Sequence, residues 1–175
     1  MTEDQKAREK AFFWATQSKE KALWYQHEEI GYNYRMSNIV AGIGRGQLKY
    51  IEEHRKRKEE IYYRYKKGLR GLSVRMNPYL PDTRPNFWLS CMLIDEDCKT
   101  DPIEIINVLN RHNIEARPIW KPMHMQPLFR NNDFVVVEDT PVDEEIFAKG
   151  LCLPSDIKMM QKEQDYVIEI IKSCF

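Results

Sequence analysis

The chain has 175 residues, enough for one ordinary domain or a small domain with an appended arm, and 42% of them are apolar, which supports a packed core rather than disorder. Lys plus Arg and Asp plus Glu number 27 each, so the basic excess of a general nucleic-acid binder is excluded. No apolar run approaches the ~20 residues that span a bilayer, and Met1 to Lys6 lacks the apolar core of a signal peptide, so a cytoplasmic protein that does not enter the membrane is expected.

Residues 3–18 read as a helix capped by Thr2, with Glu3 and Asp4 where the helix dipole favours acids and Ala7, Ala11, Phe12 and Ala15 on one face. A loop follows to about Tyr34. Ser37 caps a second helix whose apolar positions, from Ile39 through Tyr65, predict a continuous run to about Lys67, ended by Gly68 and Gly71. Its polar stretch from Glu52 to Glu60, with Arg55 and Arg57, predicts a solvated face. Gly42, Gly44 and Gly46 each cost about 1 kcal/mol relative to Ala inside a helix, which predicts close packing against another backbone or ring. No strand precedes them, so they do not form a dinucleotide loop.

Beyond Pro85 the pattern becomes alternating β and α. Phe87 to Ile94 predicts a strand, and Asp101-Pro102 opens a helix through His112. Ile114 to Ile119 predicts a second strand, after which Pro118, Pro122 and Pro127 hold the chain extended. A short helix from Val142 to Lys149, a strand at Leu151 to Leu153 and an amphipathic helix from Gln161 to Ser173 complete a small α+β domain entered by a long helix. The four cysteines, Cys91, Cys98, Cys152 and Cys174, include no CxxC pair and no His at zinc-finger spacing. Core thiols in a reducing compartment are favoured over metal ligands or disulfides.

Chemistry-bearing residues concentrate in two places. The first is the loop from Tyr25 to Asn38, where Gly31-Tyr32-Asn33-Tyr34-Arg35 offers an amide, a guanidinium and two rings, groups that a plain connector does not need. The second is Arg117 to Pro127. There Trp120 offers a stacking face, Arg117 and Lys121 offer phosphate or carboxylate contacts, and His124 is able to move a proton near neutral pH. A lone Trp-Lys pair or a lone His is more often structural, but three prolines can hold these side chains together at reduced entropic cost. His54 and His112 read as structural. No nucleophile elbow, P-loop or paired metal-binding histidines occur, so residue chemistry alone stops at a ligand-binding half-site.

At these residues the chain resembles the DegT/DnrJ/EryC1/StrS sugar aminotransferases, which use pyridoxal phosphate (PLP). The resemblance rests on Tyr25-Gln26-His27, on Gly31 to Asn38, on the helix through Ala41 to Leu48 and on Arg117 through Pro127. It extends over nearly the whole chain and is strongest to members that aminate a 4-keto-6-deoxy sugar on a UDP carrier. It implies the small C-terminal α+β domain of the aspartate aminotransferase fold (fold type I), with residues 1–36 as a large-domain helix and interface loop, 37–70 as a long interdomain helix and 71–175 as the small domain.

The resemblance further implies a homo-oligomer in which Asn33 and Arg35 reach the cofactor phosphate across a subunit interface. Tyr25, His27, Trp120, Lys121 and His124 would approach the sugar nucleotide or the glutamate donor. The family's Schiff-base lysine lies in the large domain, expected before Met1 and on a separate polypeptide if the enzyme is split. No lysine here has the matching context, so no catalytic residue and no metal site are expected in this chain, and by itself it is expected neither to hold PLP nor to transaminate. An enzyme half and a non-catalytic dimerisation or binding module both stay open.

Overall fold

The computed structural model describes residues 2–137 and 141–175. The chain divides into two units, Met1–Tyr50 and Ile51–Phe175.

The first unit contains α1 (Gln5–Ala15) and α2 (Asn38–Leu48), joined by a long loop. Asp4, not Thr2, caps α1: its carboxylate accepts from the Lys6 and Ala7 amides, which carry no intrahelical partner, while Thr2 Oγ1 accepts from Asp4. Ser37 caps α2 as expected, accepting from the Val40 amide. The predicted continuous helix is interrupted, because the chain turns at Lys49 and Tyr50 with Tyr50 N–H bonded three residues back to Gln47 C=O at 3.0 Å. Nor do the three glycines of α2 meet the packing expected of them, since a Cβ on Gly42, Gly44 or Gly46 would face open space.

Ser18 is the one buried residue among those described in this unit, and neither helix buries a side chain. Order there comes from main-chain pairing. Tyr32 N–H donates to Trp14 C=O at 2.7 Å, Gln17 N–H to Tyr32 C=O at 3.0 Å and Tyr34 N–H to Ala15 C=O at 3.1 Å. Gly31 is required for that approach, because a Cβ there would lie 2.1 Å from the Gln17 carbonyl carbon.

The second unit carries α3 (Ile51–Gly68), β1 (Val74–Met76), β2 (Ser90–Ile94), α4 (Pro102–Arg111), β3 (Arg117–Pro118), α5 (Val142–Lys149), β4 (Gly150–Leu153) and α6 (Gln161–Lys172). The strands form one antiparallel sheet in the order β1-β2-β4-β3. Side chains alternate along each strand. Met92 and Ile94 of β2 and Leu151 and Leu153 of β4 therefore meet Ile61 and Tyr65 of α3, Ile105 and Leu109 of α4, and Val167, Ile168 and Ile171 of α6 in one core. Each fully buried aliphatic side chain contributes roughly 1.5–3 kcal/mol.

Polar contacts fix the layers. Gln164, buried, donates to Ile61 C=O at 2.7 Å, and the Tyr65 hydroxyl donates to Pro154 C=O at 2.9 Å. The predicted solvated face of α3 is only partly so. Arg57 donates to Met159 C=O at 2.6 Å, and Lys58 donates to the carbonyls of Trp88 and Ser155. Their long apolar stems let both reach over the core edge while keeping the charged head bonded.

Two further expectations change. The strand from Phe87 starts only at Ser90, because Phe87 has φ +52°, and the segment after Pro122 forms two short 3-10 turns, Met123–Met125 and Pro127–Phe129. His112 gains a partner, its Nδ1 lying 2.9 Å from the Tyr166 hydroxyl. Among the described residues no helix is long and apolar enough to cross a membrane.

At the β1 end of the sheet, Asn77 takes an unusual part in the ladder. Its N–H donates to Cys91 C=O at 2.9 Å, while its own C=O accepts from the Tyr62 hydroxyl at 2.6 Å. The Cys91 N–H is then satisfied by the Asn77 side-chain oxygen at 3.0 Å.

Candidate functional site

In the first unit, Asn33 sits at the centre of the pairing just described, bridged to Thr16 on the antiparallel partner segment. Its main chain is fixed, while its side chain is exposed and takes no hydrogen bond among the described residues. Two positions on, the Arg35 guanidinium lies 5.2 Å from the centre of the Phe12 ring, and Tyr32 stacks on Tyr34 at 5.2 Å. An amide and a guanidinium on one pinned segment are the donors a phosphate group needs. Both groups are of a kind that could hold an anion such as the phosphate of PLP.

His27 joins the same pairing from the loop, with Nδ1 2.8 Å from Gln17 C=O. Tyr25 is exposed and its ring carries the Lys19 ammonium at 4.1 Å. Lys10 and Trp14 of α1 both donate to Glu29, the indole at 2.8 Å, and these hydrogen bonds, Lys10 first, hold the Glu29 carboxyl below its usual range.

In the second unit, the residues predicted along Arg117 to Pro127 separate into two places. Trp120 packs on Trp88 with ring centres 5.7 Å apart, and the pair lines a cleft of about 400 Å³ together with Arg117, Cys152 and Ser155. Arg117 donates to Glu115 from Nε at 2.7 Å, which partly matches its charge. Trp88 is the residue that sequence reasoning missed, having been read as part of a strand. It follows Phe87, whose buried ring is gripped by Tyr62 and Tyr79 at 5.4 and 4.6 Å. That packing holds Phe87 in the left-handed backbone region and so sets the direction of Trp88. Lys58 bonds the Trp88 and Ser155 carbonyls on two sides of the same cleft, and partial burial lowers its pKa from the ordinary lysine value.

His124 does not join this cleft. Its Nε2 lies 2.9 Å from Glu144 and its Nδ1 3.5 Å from Asp143, both in the first turn of α5, and its ring stacks on Phe134 at 3.6 Å. It lines a separate hollow of about 520 Å³ with Met123, Phe129 and Asn132. Lys121 is exposed between the two places. The unit thus offers an aromatic cleft beside a guanidinium, and a histidine hydrogen-bonded through Nε2 to Glu144 with Asp143 near its other nitrogen.

Residues 1–172 match the model of the DegT/DnrJ/EryC1/StrS aminotransferase family, and the chain belongs to that family. It is 44% identical to EpsN of Bacillus subtilis (strain 168), whose name assigns it to the pyridoxal phosphate-dependent aminotransferases, over 100% of this chain and 45% of that protein. It is 31% identical to the GDP-perosamine synthase of Escherichia coli O157:H7 over 86% of this chain and 40% of that one. Spr1654 of Streptococcus pneumoniae, solved in its PLP form, shares the fold with a TM-score of 0.82 at 21% identity, covering 99% of this chain and 44% of that chain. The chain therefore spans less than half the length of the relatives it matches. Its architecture is that of the corresponding part of fold type I aminotransferases, and its relatives include sugar aminotransferases.

Proposed function

We propose that this chain supplies the cofactor-phosphate and sugar-nucleotide contacts of a PLP-dependent aminotransferase. The enzyme moves an amino group from glutamate to the C4 ketone of a UDP-linked 4-keto-6-deoxy sugar, in surface polysaccharide or glycan biosynthesis. The reading rests on one observation, the exposed Asn33 amide fixed on a paired segment beside Arg35 in a chain of this family. Asn33 and Arg35 hold the cofactor phosphate of a neighbouring subunit, so the working unit is a cytoplasmic homo-oligomer. When bound, PLP supplies the electron sink for chemistry at the amino-bearing carbon. Trp120, with Trp88, stacks on the nucleotide, Arg117 and Lys121 face its phosphates, and Tyr25, His27 and His124 shape the approach of sugar and donor. The lysine that anchors the cofactor belongs to the family's large domain, and the residues above work together with that domain.

The test is to produce the chain with and without a polypeptide carrying that lysine-bearing domain. Cofactor absorbance and glutamate-dependent amination of the 4-keto sugar nucleotide are then measured. Both are expected only in the mixture. Asn33→Ala in the mixture is expected to weaken PLP retention about tenfold, equivalent to about 1.4 kcal/mol and close to the lower limit for a hydrogen bond to a charged group. Retention equal to that of the unaltered mixture would remove Asn33 from the site, and turnover by the chain alone would overturn the division of labour.

A further inference from the structure

Cys91 and Cys152 stand directly opposite each other on β2 and β4, with their sulfurs 3.7 Å apart. Both lie between core-facing neighbours, so they project from the face of the sheet away from the core. The main-chain bonding around Asn77 decides the type of pairing. Cys91 N–H and C=O are both spent toward Asn77, so across β2 and β4 the two cysteines form a non-hydrogen-bonded pair. Such pairs hold their Cα atoms about 4.5 Å apart, inside the range that a disulfide spans. Bonding needs only side-chain rotation, with the strands left in register. Cys152 is buried but lines the floor of the Trp88–Trp120 cleft, whereas Cys91 is half-buried and does not line it.

We propose that Cys91 and Cys152 are a reversible redox pair, in which Cys152 reacts first with a small-molecule disulfide entering the cleft and Cys91 closes a cross-strand disulfide behind it. In the first step the Cys152 sulfur attacks one sulfur of the reagent, forms a mixed disulfide and releases one reagent thiol. In the second, Cys91 loses its proton, attacks the Cys152 sulfur and expels the second reagent thiol. The two protein thiols are oxidised by two electrons, and the reagent is reduced to two thiols. The contact between the sulfurs acts in the same sense. Their hydrogen bond, followed by burial, pushes the Cys91 thiol up, and the same bond draws the Cys152 thiol down. Cys98 and Cys174 are free thiols with no such opposite partner.

The chain is treated with oxidised glutathione, and its thiols are counted and mapped by peptide mass. Four free thiols are expected to fall to two, with the peptides of Cys91 and Cys152 joined and dithiothreitol restoring all four. Cys91→Ser should trap glutathione on Cys152, whereas Cys152→Ser should leave Cys91 unmodified. Circular dichroism of each variant establishes that it folds, and mapping of the unaltered chain stands without them. Four thiols retained, joining through Cys98 or Cys174, or glutathione trapped on Cys91 would each overturn the proposal.

Discussion

Tyr65 shows how much one side chain can decide. It is fully buried, and its hydroxyl donates to Pro154 C=O, which ties α3 to the end of β4. Burial raises its pKa well above the usual tyrosine value, as it does less strongly for Tyr62 and Tyr79. The folded pKa is above the unfolded one, so the stabilisation is complete below the ordinary tyrosine pKa and is lost as pH rises toward the folded value. Tyr65→Phe is expected to cost about 1 kcal/mol near neutral pH, the value of a typical hydrogen bond. It should also lose less further stability than the unaltered chain when urea unfolding is repeated above about pH 10. Equal alkaline losses in the two proteins would show that Tyr65 does not carry this dependence. The sequence marks Tyr65 as apolar at helical spacing, but a hydroxyl that meets a carbonyl 89 residues away leaves no local signal.

Among the elements, those with chemical punctuation were the legible ones. Asp101-Pro102 announces α4, and the structure shows the Asp101 carboxylate accepting from the Glu104 amide at 2.8 Å with proline in the first turn. Asp101→Ala should therefore lower stability by about 1 kcal/mol, read as a reduced urea midpoint with an unchanged slope. A midpoint that does not move would mean that water replaces the cap. Elements without such marks carry little local signal. β1 is three residues long, and the turn at Lys49 and Tyr50 carries no glycine or proline. The 3-10 turns after Pro122 also escape a proline-based reading. They arise where His124 docks on Asp143 and Glu144 of α5, about twenty residues further along the chain. The same distance effect split the candidate site. Trp120 turns to Trp88 and His124 turns to α5, and neither partner is local.

On the scale of the molecule, the two units differ in what holds them. Ile51–Phe175 has a core fed by three helices and a sheet, whereas the described part of Met1–Tyr50 buries only Ser18 and leaves Ile39, Val40, Ile43 and Leu48 of α2 exposed. A helix without tertiary packing depends on intrinsic propensity, which three glycines weaken. Hydrogen exchange on this chain should find the amides of β2, β4 and α6 exchanging only through global unfolding, and those of α1 and α2 several orders of magnitude faster. Protection of α2 equal to that of α6 would refute this account of its stability. The α+β class was legible because alternating patterns and caps are properties of the chain. The lack of burial in α2 was not, because its sequence carries the apolar stripe of a packed helix.

The exchange of roles at Asn77 also bears on misfolding. A short strand at the rim of a sheet can slide along its neighbour by two residues and keep its faces. Sliding β1 would bring Arg75 or Tyr79 opposite Cys91, and neither has a side-chain carbonyl to receive the Cys91 N–H. One main-chain carbonyl would then have to serve both the Tyr62 hydroxyl and the Cys91 N–H, which at Asn77 have separate acceptors. One asparagine thus works as a detent, giving three residues of strand a single resting position.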